Sequence, residues 1–543
     1  VPLKNEFQKF IGFQVRRILT QLDRDPDSPT AGCFDRVYWH YKARDYSSAI
    51  LQQSVHVLEG ARRGDIETDL SAQQAARLTK AAVAGLTRQI NGQGGVNEYY
   101  PFENSYVAGA FALYAVCRVL LDWQETAPHL LEGIDFPALQ RLVDHMQNRR
   151  EHRQNGRSGM YRGTTPACQH ATALAALTIA GELEPLKVSK EVVSSNLQRL
   201  LEGQSSEGWF DEYGGPDFGY LSVTMDALAD IHRITRADAV FSALERAVDF
   251  VARTVGPDGK IPFELGSRNT EYFYPYGLAY AARTNQAASW LLHTAFRDMN
   301  SPRHFLWSID DRYMAHCTLA SIVKSLPYLP GAAEPKQPPG KESIWMPGSG
   351  LWLEHRADYT LAVSSRKGGI VRVARSNAAP LVDHGFRARA KNRKWTNNWW
   401  SSSLEVTKEE GKIVISGSCR RLVYDLPSPA LHLGLRALAF LFRHRLKPFL
   451  KKVMILREGE EKGGAPRFTR TITLGADDVL EIRDVIAGKG ELEAVAAPRQ
   501  NLRYVPSANN FCDEECIPAL VYGEESTRGR DRLERQVRVR VRD

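Results

Sequence analysis

With 543 residues, 43% hydrophobic and 25% charged, the chain has a globular composition and is too long for one ordinary domain, which excludes a disordered chain, a collagen-like repeat and a disulfide scaffold. No apolar run reaches the ~18 residues of a membrane span. Charge is uneven: from Lys341 onward 36 Lys and Arg face 25 Asp and Glu, a net +11, leaving 35 against 38, a net −3, before it. A basic C-terminal part favours either an anionic partner or a solvated basic surface.

Residues 1–34 read as a basic amphipathic helix with Phe7, Phe10, Ile11 and Ile18 on one side, without the apolar core of a secretory signal. The expectation is a cytoplasmic protein, or a periplasmic or secreted one if a leader preceded Val1. From 35 to 330 the apolar spacing is helical, as in AARLTKAAVAGLTRQI and LSVTMDALADIHRIT. Between the helices a Gly-centred segment with aromatic and acidic residues recurs: GGVNEYYPFENSY from Gly94, GMYRGTTPACQH from Gly159, GWFDEYGGPDFGY from Gly208 and GKIPFELGSRNTEY from Gly259. The last three begin about 50 residues apart, the length of a two-helix unit with its loops. Each opens an Ala- and Leu-rich helix, so the polar residues fall at helix N-termini, on one rim of an array of hairpins that can close into an α/α toroid. FDRVYWHYK near Asp35 and DDRYMAHC near Asp310 share a short likeness at the two ends of the array.

The stretch 331–343 is rich in Pro, Gly and charge and reads as a linker. After it, from 344 to 543, the period changes to two, as in LWLEHRADYTLAVSS, RFTRTITL and RQVRVRVRD, which predicts an antiparallel β-sandwich. A helical insertion, ALHLGLRALAFLFRHRLKPFLKK, interrupts the strands, and its basic end can lie on a membrane surface or pack back on the sandwich, the reading favoured here. Seven scattered cysteines read as reduced core thiols. Cys512 and Cys516 lack a second ligand pair, so no metal is expected. There is no phosphate loop, dinucleotide fingerprint, nucleophile elbow or zinc-protease motif, and no nucleic-acid module, so neither a cofactor nor nucleic acid is expected.

A toroid of hairpins with a tyrosine-rich, histidine-bearing rim, followed by an antiparallel sandwich, resembles the polysaccharide lyases of the heparinase II/III and chondroitin/alginate-lyase type. The resemblance implies cleavage of an acidic polysaccharide, with a Tyr acting on the sugar ring, a His as base, and an Asn, His or Arg neutralising the uronate carboxylate. By rim location it points to Asn104 and Tyr106 in FENSY, Gln169 and His170 in CQH, Tyr213 and Tyr220 in DEYGGPDFGY, and Arg268, Asn269 and Tyr272 in SRNTEY. The Asn-His dipeptide common in such lyases stands here as Gln169-His170, and His384 in LVDHGF is the candidate for a histidine placed over the cleft by the sandwich.

β-Elimination removes the weakly acidic C5 proton of a uronate, which requires the carboxylate charge to be neutralised while an enolate-like intermediate forms. A Tyr or His within reach takes the proton, and a Tyr returns one to the leaving glycosidic oxygen. A basic Tyr needs a positive neighbour, for which Arg268 is the candidate. Bland readings stand beside these: Asn104 or Asp217 as helix caps, tyrosines packed over a neighbouring hairpin. Asp217 and Glu271 admit a glycoside-hydrolase reading with two carboxylates. Trp395, Trp399 and Trp400 in RKWTNNWW can stack on sugars or fill the seam between domains. A third function class, a non-catalytic glycan-binding protein of envelope-polysaccharide assembly, keeps the tryptophans and the basic charge without convergent rim residues.

Overall fold

In the computed structural model, residues 2–148, 166–329, 342–376, 378–390, 393–422, 428–446, 464–488, 492–495 and 532–541 are described. The start of the second rim segment (159–165), the linker up to 341, Lys391, Cys512 and Cys516 lie outside them.

Among the described residues, fourteen α-helices precede the first strand: α1 Leu3–Gln21, α2 Arg36–Trp39, α3 Val55–Arg63, α4 Ala72–Gln89, α5 Tyr106–Thr126, α6 Phe136–Gln147, α7 Ala167–Ala180, α8 Lys190–Glu202, α9 Phe218–Thr235, α10 Asp238–Thr254, α11 Tyr276–Ala281, α12 Gln286–Phe296, α13 Asp311–Tyr313 and α14 Leu319–Ser325. The side chains sort them into two layers. In α7 and α9 residues are buried nearly all round, whereas α10 buries one stripe, including Val240, Ala243, Leu244, Ala247 and Val251. The all-round helices form an inner ring: α3 packs on α5, α5 on α7, α7 on α9, α9 on α11, α11 on α14, and α14 returns to α3. Their partners α4, α6, α8, α10 and α12 lie outside, and α1 packs its Phe7, Phe10 and Ile11 face against the same core near α14. This closed α/α toroid also explains α5, which is apolar and long enough to cross a membrane yet has 89% of its apolar window buried inside the ring.

Local chemistry fixes the helix starts. Ser71 and Gln74 form a reciprocal capping box on α4, while Ser105, Asp217 and Asn285 cap α5, α9 and α12. Between α13 and α14 the chain widens into a π-turn, Met314–Thr318, within one continuous inner helix.

Strands β1 Glu342–Met346, β2 Leu351–His355, β3 Tyr359–Ser364, β4 Ile370–Arg375 and β5 Leu381–Asp383 make an antiparallel meander in which β2 to β5 are buried on both faces and β1 is the more exposed edge. Alternation divides it: Leu351, Leu353, Ala362 and Ile370 join the core of the toroid, whereas Trp352, Leu361, Val363 and Val371 join the core of the sandwich. The second five-stranded sheet, with β8 Glu405–Glu409, β9 Lys412–Ser418, β11 Arg467–Leu474, β12 Val479–Ala487 and β14 Arg532–Arg540, buries alternate residues only, such as Phe468, Ile472, Leu480 and Ile482. A smaller sheet is built from β6 Arg387–Ala390, β7 Arg393–Thr396, β10 Arg420–Arg421 and β13 Leu492–Val495. Inside the sandwich, Arg470 and Arg535 bind Asp383 at 2.7 and 3.2 Å, and Arg535 binds Asp484 at 2.9 Å, pinning the corner that follows β5.

The helical insertion, α15 Pro429–Phe442, departs from expectation. It packs not on the sandwich but on the toroid, where Ala439, Leu446 and Leu435 meet Tyr100 of the first rim segment. Within the helix only Ala439 is fully buried.

Candidate active site at the rim of the ring

The described loops that precede α5, α9, α11 and α13, and the first turn of α7, stand at helix N-termini, so ring closure brings them to one rim. Four residues there have left-handed backbone without being glycine: Phe102, Asn104, Tyr213 and Asn269, with φ between 49° and 62°. Such strain persists only where surrounding contacts hold it.

Tyr213, Tyr220 and Tyr272 form a run of rings with centroids 5.8 and 6.1 Å apart, continued by Tyr274 at 5.0 Å and Tyr313 at 6.2 Å from Tyr272. Arg268 lies over the Tyr213 ring, its Cζ 5.1 Å from the centroid, and its Nη2 donates to the Tyr213 carbonyl at 3.0 Å. Gln169, on the first turn of α7, donates from Nε2 to the Tyr213 hydroxyl at 3.1 Å. That hydroxyl therefore accepts from the amide while its own proton points elsewhere. His170 is the next residue on the same turn and is half-buried, as are Tyr213 and Tyr220. Burial raises Tyr213 well above the usual tyrosine value, and only Arg268 among its close neighbours opposes this. Burial and Tyr274 do the same to Tyr272. Both hydroxyls therefore hold their protons at neutral pH.

The carboxylates here serve other ends. Asp217 accepts from the backbone N–H of Tyr220 at 3.1 Å, of Arg268 at 3.0 Å and of Thr270 at 3.3 Å, so it caps α9 and fixes the Arg268 loop together. Burial raises its pKa and these N–H groups oppose the rise. Glu212, fully buried, accepts from the Cys168 N–H at 2.6 Å, and burial pushes its carboxyl well above the usual range. Glu271 is half-buried.

The sandwich supplies a roof. Lys367 donates to the carbonyls of Glu264 at 2.6 Å and Gly266 at 2.7 Å and to the side chain of Asn269. Burial lowers it to about 7, against the pull of Asp217, Glu264 and Glu271. His384 sits in the corner pinned by Asp383, where Gly385, at φ +81°, leaves no room for a Cβ against Asn397. The Asn398 amide donates to the His384 carbonyl at 3.0 Å. Burial lowers His384 to about 4, so it is neutral. Among the described residues, His384 Nδ1 and Arg268 Nε are buried atoms without a hydrogen-bond partner. Trp400 closes the seam, donating from Nε1 to the Gly214 carbonyl at 2.9 Å and lying where a Cβ on Gly215 would meet it at 2.2 Å.

The residues singled out from the sequence thus divide. Tyr213, Tyr220, Tyr272, Arg268 and Gln169 converge, with His170 beside Gln169 and Asn269 and Trp400 in the seam. Asn104 bonds instead to Asn91 at 2.6 Å and Gln93 at 3.3 Å, closing its own turn, and Ser105 caps α5 in its place. Tyr106 is buried in the first turn of α5. Trp395 lies in the sandwich core, opposite Ala388 and Arg421 in the sheet, and Trp399 lies under Arg420 at 4.8 Å. The sequence expectations do not include Tyr313, Tyr274 or Lys367; Tyr313 stands in the DDRYMAHC segment and Tyr274 two residues beyond GKIPFELGSRNTEY, whereas nothing local marks Lys367. A groove of about 560 Å³ on the outer wall, between α6 and α8, is lined by Gln140, Asp144, Gln147 and Lys187. The Gln140, Asp144 and Gln147 side chains there are hydrogen-bonded to one another or to nearby backbone.

No protein-family model matches the sequence, and no curated protein matches it. Among solved structures, a chondroitin AC lyase mutant from Streptomyces coelicolor A3 is 9% identical, covers 98% of this chain and 94% of its own, and has a TM-score of 0.46. Heparinase III is 10% identical over 92% of this chain and 78% of its own, with a TM-score of 0.26. A GH127 β-L-arabinofuranosidase from Geobacillus stearothermophilus T6 is 9% identical over 99% and 95%, with a TM-score of 0.32. These likenesses are remote.

Proposed function

We propose that the chain is a polysaccharide lyase that cleaves an acidic, uronate-containing polysaccharide by β-elimination. The observation that carries this reading is the reachable tyrosine run at the rim, bracketed by Arg268 and Gln169, at a place where Asp217 is fully engaged with backbone and unsuited to the acid-base work of a hydrolase. The inner helices all direct their positive ends at this rim, which favours an anionic chain.

In this mechanism Arg268, with Nε still to be satisfied, and Gln169 engage the uronate carboxylate and disperse the charge that grows when C5 loses its proton. Tyr220 and His170 are the groups that take that proton. Tyr213, raised in pKa and hydrogen-bonded through its oxygen, keeps a proton to deliver to the leaving glycosidic oxygen. Tyr272 supports Tyr220 from below, and neutral His384 approaches from the sandwich as a second base.

The test is incubation with a panel of uronate polymers while following ultraviolet absorbance of the unsaturated uronate product. Absorbance that rises with new chain ends is expected. New reducing ends without that chromophore would replace elimination by hydrolysis, and glycan binding without turnover on any polymer would leave a binding protein.

A further inference from the structure

The solvent side of α15 inverts the pattern of a helix on a water-soluble surface. Leu431, Leu433 and Leu441 are 66%, 73% and 69% exposed, and Phe440 and Phe442 are exposed as well. At ~100° per residue, Ala430, Leu431, Leu433, Ala437, Leu441 and Phe442 fall on one half of the circumference. That half carries no charged residue. The opposite half meets the toroid through Leu435 and Ala439, and Arg436 there pairs with Asp45 at 2.7 Å. Arg443 lies over the Phe102 ring at 5.8 Å, and Arg445 and His444 follow, exposed, at the helix end. Residues 428–446 contain three arginines and two histidines and no acidic residue.

An apolar half-cylinder this large, left open to water, marks an interaction surface. Its occupant is set by the charge around it. Arg443 and Arg445 at the helix end, beside the exposed leucine and phenylalanine, match a bilayer interface, where apolar side chains enter the acyl boundary and cations meet lipid phosphates. We propose that α15 is an interfacial membrane anchor that seats the protein on anionic phospholipid. Because α15 rests on Tyr100 and Phe102 of the first rim segment, the anchor also holds that side of the rim at the lipid surface. The proposal stands independently of the chemistry in the cleft.

The full chain is mixed with vesicles of phosphatidylcholine alone or with added phosphatidylglycerol, and bound protein is separated by flotation. Binding to the anionic vesicles, weakened by salt, is expected. Combined Leu431→Glu, Leu433→Glu and Leu441→Glu should lower it at least ~100-fold without changing the thermal melt, since all three side chains are exposed. Arg443→Ala and Arg445→Ala should each lower it about fivefold and reduce its salt dependence. Absence of flotation, or flotation unchanged in the triple variant, would overturn the proposal. So would a wild-type dimer that the triple variant converts to monomer, because a second copy would then be the occupant.

Discussion

The toroid holds two clusters of the same residue types, and they are put to opposite uses. Deep in the ring, Asp230 accepts from Tyr276 at 3.0 Å and Arg233 at 3.1 Å as well as from Arg118 and Tyr114. Lys324 donates to Tyr114 at 2.7 Å and lies 3.5 Å from Asp226 and 3.8 Å from Asp230. Burial alone would raise Asp230, but Arg118, Lys324 and Arg233 overcome it and hold the carboxyl well below the usual range. Four inner helices, α5, α9, α11 and α14, meet there, and every formal charge faces an opposite one. At the rim, Tyr213, Tyr220 and Arg268 combine phenols with a cation as well, yet two hydroxyls are reachable and the guanidinium has a donor to spare. A buried network whose charges are paired with one another stabilises and specifies packing; one whose phenols reach the surface is equipped to act on something else.

That contrast breaks most readily at the deep cluster. Asp230→Asn leaves Arg118 and Lys324 without their shared counter-charge, and breaking a buried ion network in this way costs about 3–5 kcal/mol. Denaturant unfolding should show the loss, while turnover per folded molecule stays unchanged. The reverse holds at the rim. Tyr220→Phe should lower turnover by at least ~10²-fold with the thermal melt nearly unmoved, because the ring and its contacts with Tyr213 and Tyr272 remain. A melt that falls as far as that of Asp230→Asn would make Tyr220 a second packing residue.

A smaller effect tests how dry the roof above the rim is. His384 titrates near ~6.5 when unfolded and is lowered to about 4 by burial in the folded chain. As pH falls from ~6.5, the unfolded chain gains a proton that the folded one refuses, so stability is lost between there and about 4, by on the order of 3 kcal/mol. His384→Gln should flatten, not abolish, the acid side of a pH–melting curve, since burial also lowers His304 to about 4. An unchanged curve would mean that His384 is hydrated in both states.

Much of this architecture is legible in the sequence because its signals are repetitive. The Gly-led segments before α7, α9 and α11 mark the inner ring, and the change of period after the Pro-rich stretch marks the sandwich. The candidate site is legible where it follows from the repeat: Tyr213, Arg268 and Tyr272 stand in rim loops and Tyr220 in the first turn of α9. It was illegible where one side chain depends on distant backbone. Lys367 is defined by two carbonyls and an amide from the loop at 264–269, and no local pattern announces such a lysine. Asn104 reads like a cap, yet the left-handed turn and its bonds to Asn91 and Gln93 give it other work. Trp395 sits in a basic, aromatic run that looks like a glycan platform, but its strand alternation turns it into the sandwich core. The surface on which α15 rests could not be read either, because helical periodicity gives an apolar face without naming what it meets.

The central claim, that the rim is where a uronate chain is held and cut, is tested most directly by determining the structure of the Tyr220→Phe protein with a uronate tetrasaccharide bound. The expected result places one sugar carboxylate within hydrogen-bond distance of Arg268 and Gln169, with its C5 facing position 220 and the glycosidic oxygen near the Tyr213 hydroxyl. A tetrasaccharide seated in the outer groove between α6 and α8, or on the sandwich away from His384, would contradict it.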